Sequence, residues 1–116
     1  MEIVFVVRTG PYAFQHAQTV IDLANSALDK GHTVGIFLSE DAVVAMNADC
    51  KTGSERNMTE ELLALLERGV SIQGCGACCQ FRGQKQSDLA EGLKMAGIAT
   101  LGKMVANADR VVCFGY

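Results

Sequence analysis

The run Glu2-Ile3-Val4-Phe5-Val6-Val7-Arg8 constrains the fold of this chain more than any other stretch, because five apolar residues follow one another without alternation. A strand of that kind has both faces covered, as in the middle of a parallel sheet with helices above and below. The sequence after it repeats the theme. Thr9-Gly10-Pro11-Tyr12 is a turn, and Phe14, Ala17, Ile21, Ala24 and Leu28 recur at helical spacing until Gly31. Thr33 to Leu38 predicts a second strand with His32 at its amino end, and Ser39-Glu40-Asp41 caps a short helix through Met46. Asn57 followed by Glu60 resembles a capping box, with Leu62, Leu63, Leu65 and Leu66 marking an amphipathic helix that stops at Arg68-Gly69. Val70 to Ile72 is a short buried strand, and a short helix begins near Cys75 and ends at Gly83. Ser87-Asp88 caps a further helical turn, Leu93 to Ala96 is a short strand, Ala99 to Asn107 a helix, and Arg110 to Phe114 the closing strand, with Cys113 expected in the core. The order β-α-β-α-α-β-α-β-α-β predicts an α/β fold with a mostly parallel five-stranded sheet, helices on both faces, and one domain over residues 1–116.

Composition narrows the function classes. With 116 residues, 49% of them hydrophobic, the chain has enough apolar mass for a core without staples. A net charge of -3 and the lack of a basic cluster argue against a nucleic-acid or membrane-surface partner. No basic leader followed by a long apolar stretch opens the chain, so no signal peptide is expected. Five cysteines is an odd number, and three are crowded together, which points to a reducing cytoplasm rather than a disulfide framework.

The crowding is at Gly74-Cys75-Gly76-Ala77-Cys78-Cys79, where a strand gives way to a helix. Free N–H groups and the macrodipole at a helix N-terminus favour a thiolate or persulfide, so Cys75 is the expected nucleophile, with its thiol made more acidic. Cys78, three residues on, lies one turn away and is expected to share the chemistry, whereas Cys79 beside Phe81 reads as packing. In parallel sheets ligands gather at the carboxyl ends of strands, and one rim collects Thr9 to Tyr12, Ser39 to Asp41 and Gly74-Cys75. Thr9, Tyr12, Gly74 and Gly76 are therefore the expected substrate-binding residues. His16 falls in the first turn of its helix and is more simply a capping or solvated residue; His32 reads as structural. The polar stretch 47–56, with Cys50, is the one long loop and is either a lid over the cysteine turn or plain solvated chain. No metal site and no cofactor are expected, because a second spaced pair of ligands is missing.

The opening strand, the first helix, Gly31-His32-Thr33-Val34, the closing Ala108-Asp109-Arg110-Val111 and above all Cys75 followed by Arg82-Gly83 resemble the DsrE/DsrF-like family of sulfur-relay proteins. The resemblance implies a three-layer α/β/α sandwich that assembles as a trimer, a hexamer or a heteromeric ring. It also implies that Cys75 accepts sulfane sulfur as a persulfide and passes it to the thiol of a small sulfur-carrier protein. Cys78 and Cys79 depart from the best-known relay subunits. They leave open a thiol-disulfide redox protein using Cys75 and Cys78, although Pro11 is the only proline and a thioredoxin-type site needs one after its motif. A non-catalytic oligomeric scaffold is the remaining reading.

Overall fold

The computed structural model describes residues 1–115. Five parallel strands, β1 (Glu2–Val7), β2 (Thr33–Leu38), β3 (Ser71–Cys75), β4 (Lys94–Ala96) and β5 (Arg110–Phe114), form one sheet in the order β4-β3-β2-β1-β5. The helices are α1 (His16–Asp29), α2 (Met58–Glu67), α3 (Gly76–Phe81) and α4 (Ile98–Asn107), with short 3₁₀ segments at Glu40–Met46 and Gln86–Asp88. The first three crossovers all step the same way along the sheet, so right-handed connection puts α1, α2 and α3 on one face. Only the return from β4 to β5 crosses back, and it carries α4 to the opposite face. The result is the expected three-layer α/β/α arrangement.

Pairing fixes what each face contains. Phe5 pairs with Ile36, and Ile36 with Ile72, so these three point together toward α1 and α2. There they join Val20, Ile21, Ala24, Leu62 and Leu65 in the main core. Gly35 faces α4, where the Met104 methyl occupies the space a side chain would need. Gly74 serves the same purpose on the other face: a Cβ there would overlap the Met46 methyl and lie 2.8 Å from its sulfur. Met46 is fully buried, so the missing side chain of Gly74 lets the 3₁₀ segment pack on β3.

Several local expectations are refined. Glu40–Met46 winds as 3₁₀ rather than α, and Ser39 makes no side-chain cap to it. Asn57 caps α2 by accepting from the Glu60 N–H at 3.1 Å. Around residue 86 the capping carboxylate is that of Asp88, which accepts from the Lys85 N–H at 2.7 Å. β3 runs on through Cys75 instead of ending at Ile72. Gly83, at φ 69°, ends α3 as expected.

The placement of Cys113 is a correction. It is exposed, not in the core. β5 is an edge strand, its Cys113 side faces the layer covered by α4 alone, and no residue of α4 is fully buried. Val111, on the same side of β5, is 39% exposed for the same reason; Val112, also 39% exposed, points to the other face and lies open because β5 is the edge strand.

Gly74→Ala is expected to destabilise the fold by about 1–3 kcal/mol through overpacking against Met46. Thermal melts of Gly74→Ala, Met46→Val and the double variant check it, the double variant melting above the sum of the two single losses.

Candidate functional site

Because Val7 pairs with Leu38 and Leu38 with Gly74, the chain leaves β1, β2 and β3 at one level. Thr9, Ser39 and Cys75 therefore emerge in a row on the carboxyl rim of the sheet. Cys75 is both the last residue of β3 and the N-cap of α3, in extended conformation at φ -63° and ψ 118°. Its sulfur accepts the Cys78 N–H at 3.3 Å. Cys78 sits one turn along and turns toward the end of β2, where its sulfur is 4.0 Å from the Ser39 hydroxyl. Both thiols are partly exposed, and Cys79 is fully buried among core side chains, as its sequence environment predicts.

The electrostatics invert the expected roles within the pair. Burial pushes the Cys75 thiol up, and the neighbouring Cys78 sulfur pushes it the same way, outweighing the backbone N–H groups of Cys78 and Ala77. Burial also opposes ionisation of Cys78, but there it is overcome. Hydrogen bonds from the Cys75 thiol, the Glu40 backbone and the Ser39 hydroxyl, with the Arg82 charge close by, leave Cys78 more acidic than an ordinary cysteine. A six-residue helix capped by its own cysteine thus does less for the capping sulfur than tertiary donors do for the next one. Of the two, Cys78 is the thiol that ionises more readily, with the Cys75 S–H directed at it.

The groups that hold Cys78 come from separate stretches of the sequence. Glu40 occupies the left-handed region at φ 55°, which costs a non-glycine residue roughly 1–3 kcal/mol. Its carboxylate is tied to the Arg8 Nε at 3.0 and 3.1 Å, which fixes the strained turn at the end of β2. Arg82 Nε donates to Asp41 Oδ1 at 2.8 Å and its Nη1 to the Cys78 carbonyl at 3.0 Å, so one guanidinium links α3 to the same turn. Gln84, nearly buried, donates to the Val43 carbonyl at 2.9 Å and to the Cys79 sulfur at 3.5 Å, and completes the clamp. The sequence placed Ser39 to Asp41 on the same rim as Cys75 and showed the spacing of Arg82, seven residues after it; nothing in it pointed to Arg8 or Gln84.

The other expected binding residues divide. Gly76 stands beside Cys75, and a Cβ there would make only ordinary contact with Ala96 and Met95. Gly74 is filled by Met46. The Thr9 hydroxyl is buried and lies 2.6 Å from His16 Nδ1, so Thr9 orients that ring, which also stacks on Phe14. The Tyr12 hydroxyl donates to the Arg56 carbonyl and accepts the Met58 N–H, pinning the first turn to the start of α2. Loop 47–56 lines a cavity of about 540 Å³ with Cys50, Lys51, Thr59 and Glu91, to which Cys75 and Cys78 contribute nothing. Among the described residues no cluster of His, Cys, Asp and Glu suits a metal ion, and no helix is long and apolar enough to cross a membrane.

Residues 1–114 match the DsrE/DsrF-like family. An uncharacterised protein of Methanocaldococcus jannaschii is 33% identical over 98% of this chain and 100% of its own length. The sulfurtransferase TusD of Erwinia tasmaniensis is 31% identical, with 91% of this chain and 94% of that protein aligned. The crystal structure of the ychN protein from E. coli superposes with a TM-score of 0.86 at 25% identity, over 98% of this chain and 99% of that one. Sequence and fold agree over nearly the whole length, and the chain belongs to the DsrE/DsrF-like family.

Proposed function

We propose that this protein is a persulfide carrier in a sulfur relay, in which Cys75 takes sulfane sulfur and yields it to the thiol of a small partner protein. The observation that carries the reading is the pairing of the two thiols on an open rim, one acidic and one not. A nucleophile beside a base is the arrangement by which weak nucleophiles are activated. Cys78, as thiolate, takes the proton of Cys75 while the Cys75 sulfur attacks the outer sulfur of a donor persulfide. A Cys75 persulfide forms, the donor leaves as thiolate, and Cys78 ends protonated. The higher-pKa thiol of the two is also the better nucleophile once ionised, which favours this division of labour. The relatives named sulfurtransferase TusD support the same chemistry.

A carrier needs access for another protein, not an enclosed pocket. Phe81 on α3 is 82% exposed, and Ile98, two residues beyond the Ala96 that pairs with Cys75, is 80% exposed. Two large apolar side chains flanking the thiols suit a protein partner of complementary surface. Self-association is the second part of the reading. The open edge of β5, with Val105, Val111 and Val112 exposed, is apolar surface that a further copy of the chain would cover.

Loading with glutathione persulfide, followed by mass spectrometry of the tryptic peptide 69–82, is expected to place one extra sulfur on Cys75. Cys75→Ser should abolish it; equal labelling of that variant would reassign the site. Alkylation followed against pH is expected to modify Cys78 below the usual cysteine range, where Cys75 is still protonated. Cys75→Ala and Arg82→Gln each remove a group that favours the Cys78 thiolate, so each should move its midpoint up. Light scattering should find more than one chain per particle, and Val105→Glu with Val111→Lys should reduce it to a single folded chain.

A further inference from the structure

We infer that the same pair is also a persulfide reductase: when no partner thiol claims the passenger sulfur, Cys78 attacks Cys75, expels the outer sulfur as sulfide and closes a Cys75–Cys78 disulfide. The inference rests on the carrier reading above, since sulfur must first reach Cys75.

A persulfide has two sulfurs open to attack, and position decides which one a thiol meets. The outer sulfur extends one bond beyond Cys75 toward the open rim, where a partner protein approaches. The inner sulfur is Cys75 Sγ itself. Cys78 is bound to that atom from two directions, by its N–H at 3.3 Å and by the hydrogen bond between the thiols. It is therefore placed to attack the inner sulfur, which breaks the bond to the outer one and cannot hand the sulfur on. Attack from outside gives transfer; attack from within gives release.

The release step balances. Cys78 begins as a thiol and Cys75 as a persulfide. The Cys78–Cys75 sulfur bond forms as the bond from Cys75 to the outer sulfur breaks. The outer sulfur leaves with that electron pair as hydrogen sulfide, keeping its own proton and taking the one from Cys78. The sulfane atom is reduced, and the two cysteines are oxidised to the disulfide. An external dithiol returns them to the reduced pair and leaves as its own disulfide. Ser39 and Arg82, which favour the Cys78 thiolate, favour this attack as well as the loading step. Cys79 is not an alternative resolving thiol, because it is fully buried with its sulfur against the Gln84 amide.

The test uses the full chain and glutathione persulfide, at alkaline pH raised until Cys75 loads in the Cys78 variants as well, and with no added reductant. Sulfide is assayed in solution, and the non-reduced peptide 69–82 is weighed. The wild type is expected to release one sulfide per chain and to yield a peptide two hydrogens lighter, with further turnover only after dithiothreitol is added. Cys78→Ser and Cys78→Ala should keep the persulfide on Cys75, with sulfide at the level of Cys75→Ser. Cys79→Ala should behave as the wild type. A wild-type peptide that holds its extra sulfur without releasing sulfide overturns the reductase and leaves the carrier standing. Sulfide release that survives in both Cys78 variants overturns it also, and a wild type that never acquires sulfur overturns both.

Discussion

The level ending of β1, β2 and β3 is the constraint on which the rest depends. In a parallel sheet each strand is fixed to the next by slanted ladder bonds, and a slip of one residue would turn every side chain to the other face. Here the register sets Val7, Leu38 and Gly74 side by side. The segments that follow then have to share one rim. Arg8 meets the turn at the end of β2, that turn meets Cys78, and Cys75 closes the row. No long loop is needed to assemble the site, since strand pairing has already done it.

Around that row the structure gathers backbone strain and charge at one turn. Glu40 is held left-handed by its pairing with Arg8, and Asp41 is held by Arg82, so the end of β2 is gripped from both sides. The grip matters because the sulfur of Cys78 gains its anionic character from this turn and from Cys75, not from the helix that carries it. A short helix offers a weak field, and a capping sulfur that is also desolvated loses more than it gains. Two thiols one turn apart thereby acquire different acidities from different neighbours. In the proposed carrier, that difference is what would let one serve as base for the other.

The two faces of the sheet are unequally protected. Three helices and a 3₁₀ segment seal one, and α4 alone lies over the other, leaving β5 and the outer side of α4 open. The closing strand satisfies its ladder with β1 on one side only. Apolar residues at such an edge are tolerated where something else covers them. The uneven coverage leaves Ile98 and Val105 exposed on the return crossover and Val111 exposed on β5, and it gives the other face the larger share of the buried core.

Much of this was legible in the chain. The unbroken apolar run of β1, the helical spacing in α1 and α2, the glycine stops at Gly31, Gly69 and Gly83, and the crowding of Cys75, Cys78 and Cys79 are local features, set by covalent spacing and backbone preference. They determined the α/β class, the order of elements along the chain, and the turn where the thiols lie, whereas the order of strands in the sheet came from the tertiary structure. What tertiary structure decided is everything that depends on a neighbour distant in sequence. The core place expected for Cys113 failed because strand composition does not say which strand becomes the edge. Gly74 proved to be room for Met46, and the Tyr12 hydroxyl was taken up by Arg56 and Met58. Most of all, the acidity of Cys78 comes in good part from residues 39, 40 and 82, and only folding brings the first two within reach of its sulfur. A pKa is set by burial and by the donors around a group in space, and along the chain neither is written beside the residue it governs.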